Sequence, residues 1–243
     1  VKRVEASGTT QRRQCIAHQT PTLQLLGSDG QAQPPAGQYK QVTANNYRAC
    51  ALDLTGHAVC WGRGTTPAPN DVFTQIVTGD GDLGRACGLR ADGTVRCWSK
   101  LNDLPVNSTT AEGQFAKIAI PRGLAAGVCG LLANGSVSCW SSGTGLFGAP
   151  FTPSSGGTYL DIDHGNGPFA FVDSTGRLQS SFVFELATGF TKVASGGSAT
   201  CGLTTAGNIT CYGTVNQKFT RTGPFTAVTA GANHACGIRG DGT

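Results

Sequence analysis

The chain has 243 residues, of which 13% are charged, and it carries 36 glycines and a formal net charge of +4. This composition is too apolar and too regularly patterned for a disordered chain, and the scattered Lys and Arg residues lack the clustered basic patch of nucleic-acid-binding proteins. No apolar run approaches the length that spans a bilayer, so the sequence predicts no membrane span.

A short strand of the pattern aromatic-x-x-β-branched recurs along the chain and marks the start of a repeat unit. Units begin near residues 1, 39, 73, 115, 159, 190 and 225. Short strands at a period of roughly 35 residues, separated by segments rich in Gly, Pro, Ser and Thr, are typical of propeller blades. We therefore predict an all-β fold, a seven-bladed β-propeller formed by residues 1–243 as a single domain. A linear β-solenoid is the alternative.

Most units continue with a hairpin enclosed by two cysteines ten residues apart. Folding the segment from Cys87 to Cys97 on itself places the two cysteines opposite each other and leaves the loop Ala91-Asp92-Gly93. Glycine suits the last loop position because it adopts the left-handed conformation without a Cβ clash. The same spacing recurs at Cys50 and Cys60, at Cys129 and Cys139, and at Cys201 and Cys211.

The paired cysteines predict disulfides, because cysteines directly opposed on antiparallel strands lie within bonding reach. The hairpin of Ala170–Ser181 has Ala170 and Ser180 at the two cysteine positions, so the cysteines are lost as a pair. Metal coordination is the competing interpretation, but the four histidines do not follow the cysteines. Cross-strand disulfides inside the blades imply an oxidising compartment, and we predict a processed chain that is secreted or periplasmic.

The first and last units are irregular. Cys15 and Cys236 remain without an opposed cysteine, and they either bond to each other and tie the ring shut or stay unpaired. The last unit is incomplete, because the return strand of its hairpin is not part of the sequence. Val1–Val4 or a neighbouring chain could supply that strand, the latter by strand exchange. The spacing from Val4 to Cys15 favours an inner-strand role for Val1–Val4.

Three Asn-x-Ser/Thr sequons occur, at Asn107, Asn134 and Asn208. They are relevant to a chain made in a eukaryotic secretory pathway, and Asn134 lies inside a tight hairpin loop.

The repeat resembles that of a known family. The pattern AG-x-x-H-x-C-G-x-x-x-DG over Ala230–Gly242, with the continuation V-x-C-W-S over Val95–Ser99, resembles the regulator-of-chromosome-condensation repeat. The resemblance implies a seven-bladed propeller. The disulfides make the chain most similar to secreted members such as the β-lactamase-inhibitory propellers. Members of the family act in nucleotide exchange, light sensing, enzyme inhibition and as receptor ectodomains, so the fold does not determine the function. The disulfides disfavour nuclear exchange, and the absence of clustered extra tryptophans disfavours light sensing.

The sequence offers little for catalysis or metal binding, and we predict no enzyme and no cofactor. No Ser or Cys nucleophile comes with His and an acid in a motif. The tryptophans that follow the second cysteines are expected to pack between blades. Asp80–Gly84 and Asp161–Gly165 resemble the start of calcium loops but lack a late bidentate carboxylate. Calcium is therefore the alternative, and we predict no metal site.

Polar residues collect in the loops between the first strand of each unit and its first cysteine. The spacing across this loop is eight or eleven residues, as expected for an exposed, variable loop. Tyr and Arg are favoured binding anchors. The candidate binding residues are Arg12, Arg13, Asn46, Tyr47, Arg48, Asp80, Asp82, Arg85, Arg122, His164, Asn233 and His234.

These loops predict a secreted binding module that recognises a protein partner through one face of the propeller. A carbohydrate-binding lectin and a structural subunit of an extracellular assembly are the alternatives.

Overall fold

The computed structural model describes residues 35–44, 48–62, 65, 67–79, 85–98, 114–120, 128–140, 157–165, 169–180, 187–197, 199–213, 218–230 and 235–240. Within these ranges the chain forms eighteen β-strands in six antiparallel sheets.

Each sheet is built from strands that follow one another in sequence. The first three sheets contain β1 Tyr39–Ala44, β2 Arg48–Asp53 and β3 Ala58–Gly62; β4 Gln75–Thr78, β5 Ala86–Leu89 and β6 Val95–Trp98; and β7 Phe115–Ala119, β8 Val128–Leu132 and β9 Val137–Trp140. The fourth contains β10 Tyr159–His164, β11 Phe169–Asp173 and β12 Leu178–Gln179. The fifth contains β13 Phe190–Ser195, β14 Ala199–Thr204, β15 Ile209–Gly213 and β16 Lys218–Arg221, and the sixth β17 Phe225–Ala230 and β18 Ala235–Arg239.

The six sheets are propeller blades. The first strand of every sheet contributes to the wall of one central cavity, so the sheets radiate from a common channel. The first strands begin at or within two residues of the predicted unit starts. The unit predicted near residue 1 lies almost wholly outside the described residues, so the number of seven blades and the extent of the domain stay predictions.

The predicted cross-strand disulfides are confirmed. Each cysteine of the second strand pairs in register with the cysteine of the third strand, and the four bonds bring the Cα atoms to 3.9–4.0 Å. Sulfur bonded to sulfur is not available as a metal ligand, so the metal interpretation of these pairs was wrong. Cys236 in β18 is also disulfide-bonded, and its partner lies outside the described residues.

The hairpin turns are as expected, and they also connect neighbouring blades. The last turn residue is a glycine with φ between +77° and +101° in all five described turns, Gly56, Gly93, Gly135, Gly176 and Gly207. Its carbonyl accepts a hydrogen bond of 2.7–3.0 Å from the backbone N–H of the aromatic residue that begins the next unit. At Gly93 a Cβ would lie 2.6 Å from the Cβ of Gln114. Glycine therefore serves both the turn and the close approach of the next blade.

The aromatic residue that begins a unit packs against the residue after the first cysteine. A Cβ at Gly88 would lie 2.3 Å from the ring of Phe73, and the same clash recurs at Gly130 with Phe115. Of the six units that the structure describes, two lack this glycine and have Ala51 or Phe171 there, and both begin with Tyr instead of Phe. Their tyrosines pack differently: Tyr159, for example, lies tilted against Phe171, with ring centroids 5.3 Å apart.

The apolar core lies between blades. Trp98 is 1% exposed and stacks on Phe73 at 5.7 Å, in a cluster that includes Cys50 and Leu52 of the preceding blade. Tyr212 likewise packs in a cluster with Val172 of the preceding blade. The predicted packing role of the residue after the second cysteine is thus confirmed at Trp98.

Candidate binding site at the loop face and central channel

The two ends of the propeller differ in what they carry. The first strands end where the loops to the second strands begin, and we call this end the loop face. The hairpin turns between second and third strands lie at the opposite end, the hairpin face. The first strands run in the same direction, because the third pattern position of one unit contacts the fourth pattern position of the next, as in Gln41 to Ile76 and Asp161 to Val193.

Three of the predicted binding residues can be placed. Arg48 opens β2 and Arg85 precedes β5, and both are almost wholly buried, at 2% and 4% exposure. Their burial differs from the exposed loop positions that the sequence predicted. The carbonyl of Arg85 accepts a 3.0 Å hydrogen bond from the N–H of Gly79, which ties the end of this loop back to the first strand. Both residues are buried at the loop base and do not reach outward as binding anchors would.

His164 lies at the mouth of the channel. It is half-buried, its ring stands edge-on to Phe169 with centroids 4.0 Å apart, and its Nδ1 lies 2.6 Å from the carbonyl oxygen of Gly165. The remaining predicted binding residues lie outside the described residues: Arg12, Arg13, Asn46, Tyr47, Asp80, Asp82, Arg122, Asn233 and His234.

The central channel is a cavity of about 450 Å³, a size typical of small-ligand sites. Its wall mixes aliphatic residues with hydroxyl, carboxylate and ammonium groups. The polar lining residues include Thr43, Thr78, Lys117, Asp161, Asp163, His164 and Lys192.

Side chains at the third position of the aromatic-x-x-β-branched pattern join neighbouring blades in five of the six described units, and the sixth unit has Ala227 there. Gln41 donates from Nε2 to the carbonyl of Ile76 at 2.6 Å and accepts at Oε1 from the N–H of Ile76 at 3.1 Å. Gln75 makes the same two contacts with Ile118, each at 3.0 Å. Each first strand is an edge strand, so its outer N–H and C=O groups have no neighbouring strand to pair with. The glutamine of the preceding blade supplies the missing donor and acceptor.

The third position becomes charged farther round the ring. Lys117 forms an ion pair with Asp161 of the next blade, and the other oxygen of Asp161 accepts from the N–H of Val193 at 2.9 Å. Asp161 therefore connects three blades. Lys192 donates to the carbonyl of Thr226 at 3.0 Å. We call Gln41, Gln75, Lys117, Asp161 and Lys192 the staple residues.

A second level of contacts lies closer to the loop face. Asp163 accepts a 2.8 Å hydrogen bond from the N–H of Ser195, and the hydroxyls of Thr43 and Thr78 lie 3.0 Å apart. Two levels of contacts between first strands fix the channel and the bases of the loops that surround it.

The described residues offer structural contacts instead of a cation site. Both oxygens of Asp161 and one oxygen of Asp163 are bound to neighbouring blades. The carboxylates of the predicted calcium-loop start at Asp161–Gly165 therefore form contacts between blades. Within the described ranges, three or more His, Cys, Asp or Glu side chains do not converge on a common point. The other predicted start, Asp80–Gly84, lies outside those ranges.

The sequence analysis did not predict the staple residues, because it assigned no role to the two middle positions of the aromatic-x-x-β-branched pattern. The signal was present, since the third position is polar in Gln41, Gln75, Lys117, Asp161 and Lys192.

Solved structures share this fold. The chain is similar to the CRINKLY WD40 ectodomain of the Arabidopsis thaliana receptor kinase ACR4, with 19% identity, a TM-score of 0.64, and coverage of 85% of this chain and 77% of that one. It is similar to the entire ectodomain of the Physcomitrella patens receptor kinase CR4, with 22% identity, a TM-score of 0.67, and coverage of 89% of this chain and 64% of that one. It is also similar to Prp20p of Saccharomyces cerevisiae, which binds Gsp1p and histones, with 15% identity, a TM-score of 0.63, and coverage of 84% and 70%.

These similarities establish the class of fold, a β-propeller, and the similar structures include one of the regulator-of-chromosome-condensation type. No protein-family model matches the sequence, and no curated protein matches it either. The nearer relation to β-lactamase-inhibitory propellers stays a prediction. The four disulfides and the receptor ectodomains among the similar structures fit an extracellular binding module. Throughout the part of the chain that the structure describes, no helix could cross a membrane.

Proposed function

We propose that the chain is a non-enzymatic extracellular module that recognises a protein partner through its loop face. The partner meets the loops around the channel mouth. The predicted anchors on this face are Tyr47, Arg122 and His234, with His164 at the channel mouth.

The observation that carries the proposal is the difference between the two faces. On the hairpin face the five described turns have one length, and the carbonyl of the glycine in each is hydrogen-bonded to the next blade. On the loop face the loops differ by three residues between units, although they rise from strands that the staple residues hold in place. Variable loops on a rigid scaffold are the usual location of binding residues.

The rigid support favours protein recognition. Disulfides lock the second and third strands of four blades, and hydrogen bonds between adjacent blades lock neighbouring first strands to each other. The strands beneath the loops therefore lose little conformational entropy on binding. The similar structures include receptor ectodomains and a propeller with protein partners, which supports this class of function by analogy of fold.

The proposal is tested by affinity capture with a matched pair of surface variants. The loop-face variant is Tyr47→Ala/Arg122→Ala, and the hairpin-face variant is Thr55→Ala/Thr205→Ala. Both variants and the full wild-type chain are immobilised once thermal unfolding has shown that their melting temperatures agree. Each is exposed to extracytoplasmic proteins of the source organism. We expect one protein to bind the wild type and the hairpin-face variant, and its affinity to fall at least about tenfold on the loop-face variant, as for loss of anchor residues.

Equal capture by both variants would contradict the proposal. Binding to a glycan array without protein capture would support the lectin alternative instead.

A further inference from the structure

The turn between β8 and β9 carries an exposed asparagine on the hairpin face. Asn134 is the middle residue of the turn Ala133-Asn134-Gly135, in which Gly135 has a φ of +83°. The three residues Asn134-Gly135-Ser136 match the acceptor sequence for N-glycosylation, which requires a surface site in a secreted chain. The disulfide between Cys129 and Cys139 encloses this turn and fits the same oxidising route.

The side chain of Asn134 is held in a defined orientation. Its Oδ1 accepts hydrogen bonds from the backbone N–H of Ser136 at 3.0 Å and from the Ser136 hydroxyl at 2.7 Å. Within the described ranges its amide nitrogen, Nδ2, has no hydrogen-bond partner. The atom to which a glycan attaches is therefore unengaged among the described residues, and the hydroxyl-bearing serine of the sequon is hydrogen-bonded to the same side chain.

The turn itself does not require asparagine. In the equivalent turn between β5 and β6, Asp92 accepts from the backbone N–H of Thr94 at 2.9 Å and from its hydroxyl at 2.6 Å. Aspartate thus forms the same local structure. What asparagine adds at residue 134 is the Nδ2 group.

A second sequon in the described residues lies in a different environment. Asn208 is half-buried, and its Oδ1 accepts from the N–H of Gly223 at 3.3 Å, in the segment that leads to β17. The hydroxyl-bearing residue of this sequon, Thr210, is buried and its hydroxyl lies 3.0 Å from that of Thr220. Asn208 and Thr210 are therefore less accessible than Asn134 and Ser136, the corresponding residues of the first sequon.

We propose that Asn134 is an N-glycosylation site. In the transfer, Nδ2 forms a bond to C1 of the first sugar of a lipid-pyrophosphate-linked oligosaccharide. The bond from C1 to the pyrophosphate oxygen breaks and its electron pair leaves on the lipid pyrophosphate, while the proton lost from Nδ2 passes to solvent. The glycan projects from the hairpin face, at the opposite end of the propeller from the loop face. It therefore leaves partner binding unobstructed, and the site does not depend on the proposed function.

The test is peptide mapping of the full chain secreted from a eukaryotic host cell, before and after peptide-N-glycosidase treatment. We expect the peptide that contains Asn134 to carry a glycan in most molecules, and the enzyme to convert Asn134 to aspartate. Asn134→Asp keeps the turn contacts and abolishes the modification, and Ser136→Ala abolishes it with Asn134 in place. The matched control Asn208→Asp leaves the glycan on Asn134 unchanged. An unmodified Asn134 peptide from correctly disulfide-bonded chains, or a glycan that persists in Ser136→Ala, would overturn the proposal.

Discussion

The ring of Phe115 fills the space that a side chain at Gly130 would need. A Cβ on Gly130 would lie 2.1 Å from Cδ1 of Phe115, on the strand that pairs with Phe115's own strand. The glycine after the first cysteine is therefore a packing requirement of the blade. In the repeat pattern of cysteine followed by glycine, the cysteine forms the disulfide and the glycine makes room for the aromatic ring that begins the unit.

Gly130→Ala tests this contact. Because the added Cβ fits only if the buried ring of Phe115 shifts, we expect a loss of about 1–3 kcal/mol in the free energy of unfolding, as for overpacked cores. Chemical denaturation of the oxidised chain gives the value. Gly240→Ala is the matched control, since the nearest atom to its Cβ would lie 3.6 Å away, and its stability should be unchanged. Unchanged stability of Gly130→Ala would show that the ring can shift.

The staple residues predict a second stability effect. Gln75→Ala leaves the buried N–H and C=O of Ile118 without their partner, which costs about 2–4 kcal/mol for the two groups together. Lys192→Ala removes an exposed contact to Thr226 and should cost less than about 0.5 kcal/mol. Denaturant unfolding of both variants compares them. Equal effects would mean that water replaces the glutamine contacts.

Turn carboxylates predict a loss of stability in acid. The hydroxyl of Thr55, with the N–H groups of Gly56 and His57, holds the pKa of Asp53 below its usual value. Burial acts to raise the pKa of Asp173, but hydrogen bonds from Thr175, Arg177 and Gln179 lower it on balance. A pKa lowered by folding adds stability above the unfolded value of 3.8, and this stability is lost as the pH falls through the folded value.

The double variant Asp53→Asn/Asp173→Asn tests the acid effect. It keeps the local turn geometry and removes both titrating groups, so its unfolding midpoint should change less than that of the wild type as the pH falls from about 5 to about 2. Thermal unfolding across this range measures the difference. Parallel curves for the two proteins would assign the acid sensitivity to other groups.

Cysteine count predicts the partner of Cys236. The sequence has ten cysteines, the four hairpin pairs use eight, and Cys236 is disulfide-bonded, so Cys15 is the partner that remains within the chain. Cys15 lies outside the described residues. Non-reducing peptide mapping should recover the peptides of Cys15 and Cys236 joined to each other.

A bond between residues 15 and 236 closes a much longer loop than the ten-residue hairpin bonds. The chain-entropy relation gives about 5 kcal/mol for the long loop and about 3 kcal/mol for a hairpin loop, so Cys236→Ser should destabilise more than Cys201→Ser/Cys211→Ser. A covalent dimer through Cys236, lost on reduction, would instead favour the structural alternative with exchange between chains.

Local signals made the blades predictable. The ten-residue cysteine spacing and the turn glycine fix a hairpin register without reference to the rest of the chain, and Cys87 opposite Cys97 follows from them. The staple contacts were not predictable in the same way. Gln75, Lys117 and Asp161 differ in chemistry, and each acts on a strand more than thirty residues later, so their common role is visible only when the blades stand side by side.

The loop residues show where sequence reasoning has its limit. A polar residue between two strands suggests an exposed loop, and this was the basis for Arg48 and Arg85. Strand β2 begins at Arg48 itself, and the loop before Arg85 closes through its backbone carbonyl, so both side chains are buried at the loop base. Exposure depended on where the strands begin, which composition does not specify.

Photo-cross-linking of the bound partner tests recognition through the loop face most directly. A photoreactive phenylalanine is placed at residue 47 on the loop face in one protein and at residue 205 on the hairpin face in another. Both are irradiated with the partner isolated by affinity capture. The account predicts a cross-linked species of one to one stoichiometry from residue 47 and none from residue 205. A cross-link formed only from residue 205 would contradict it.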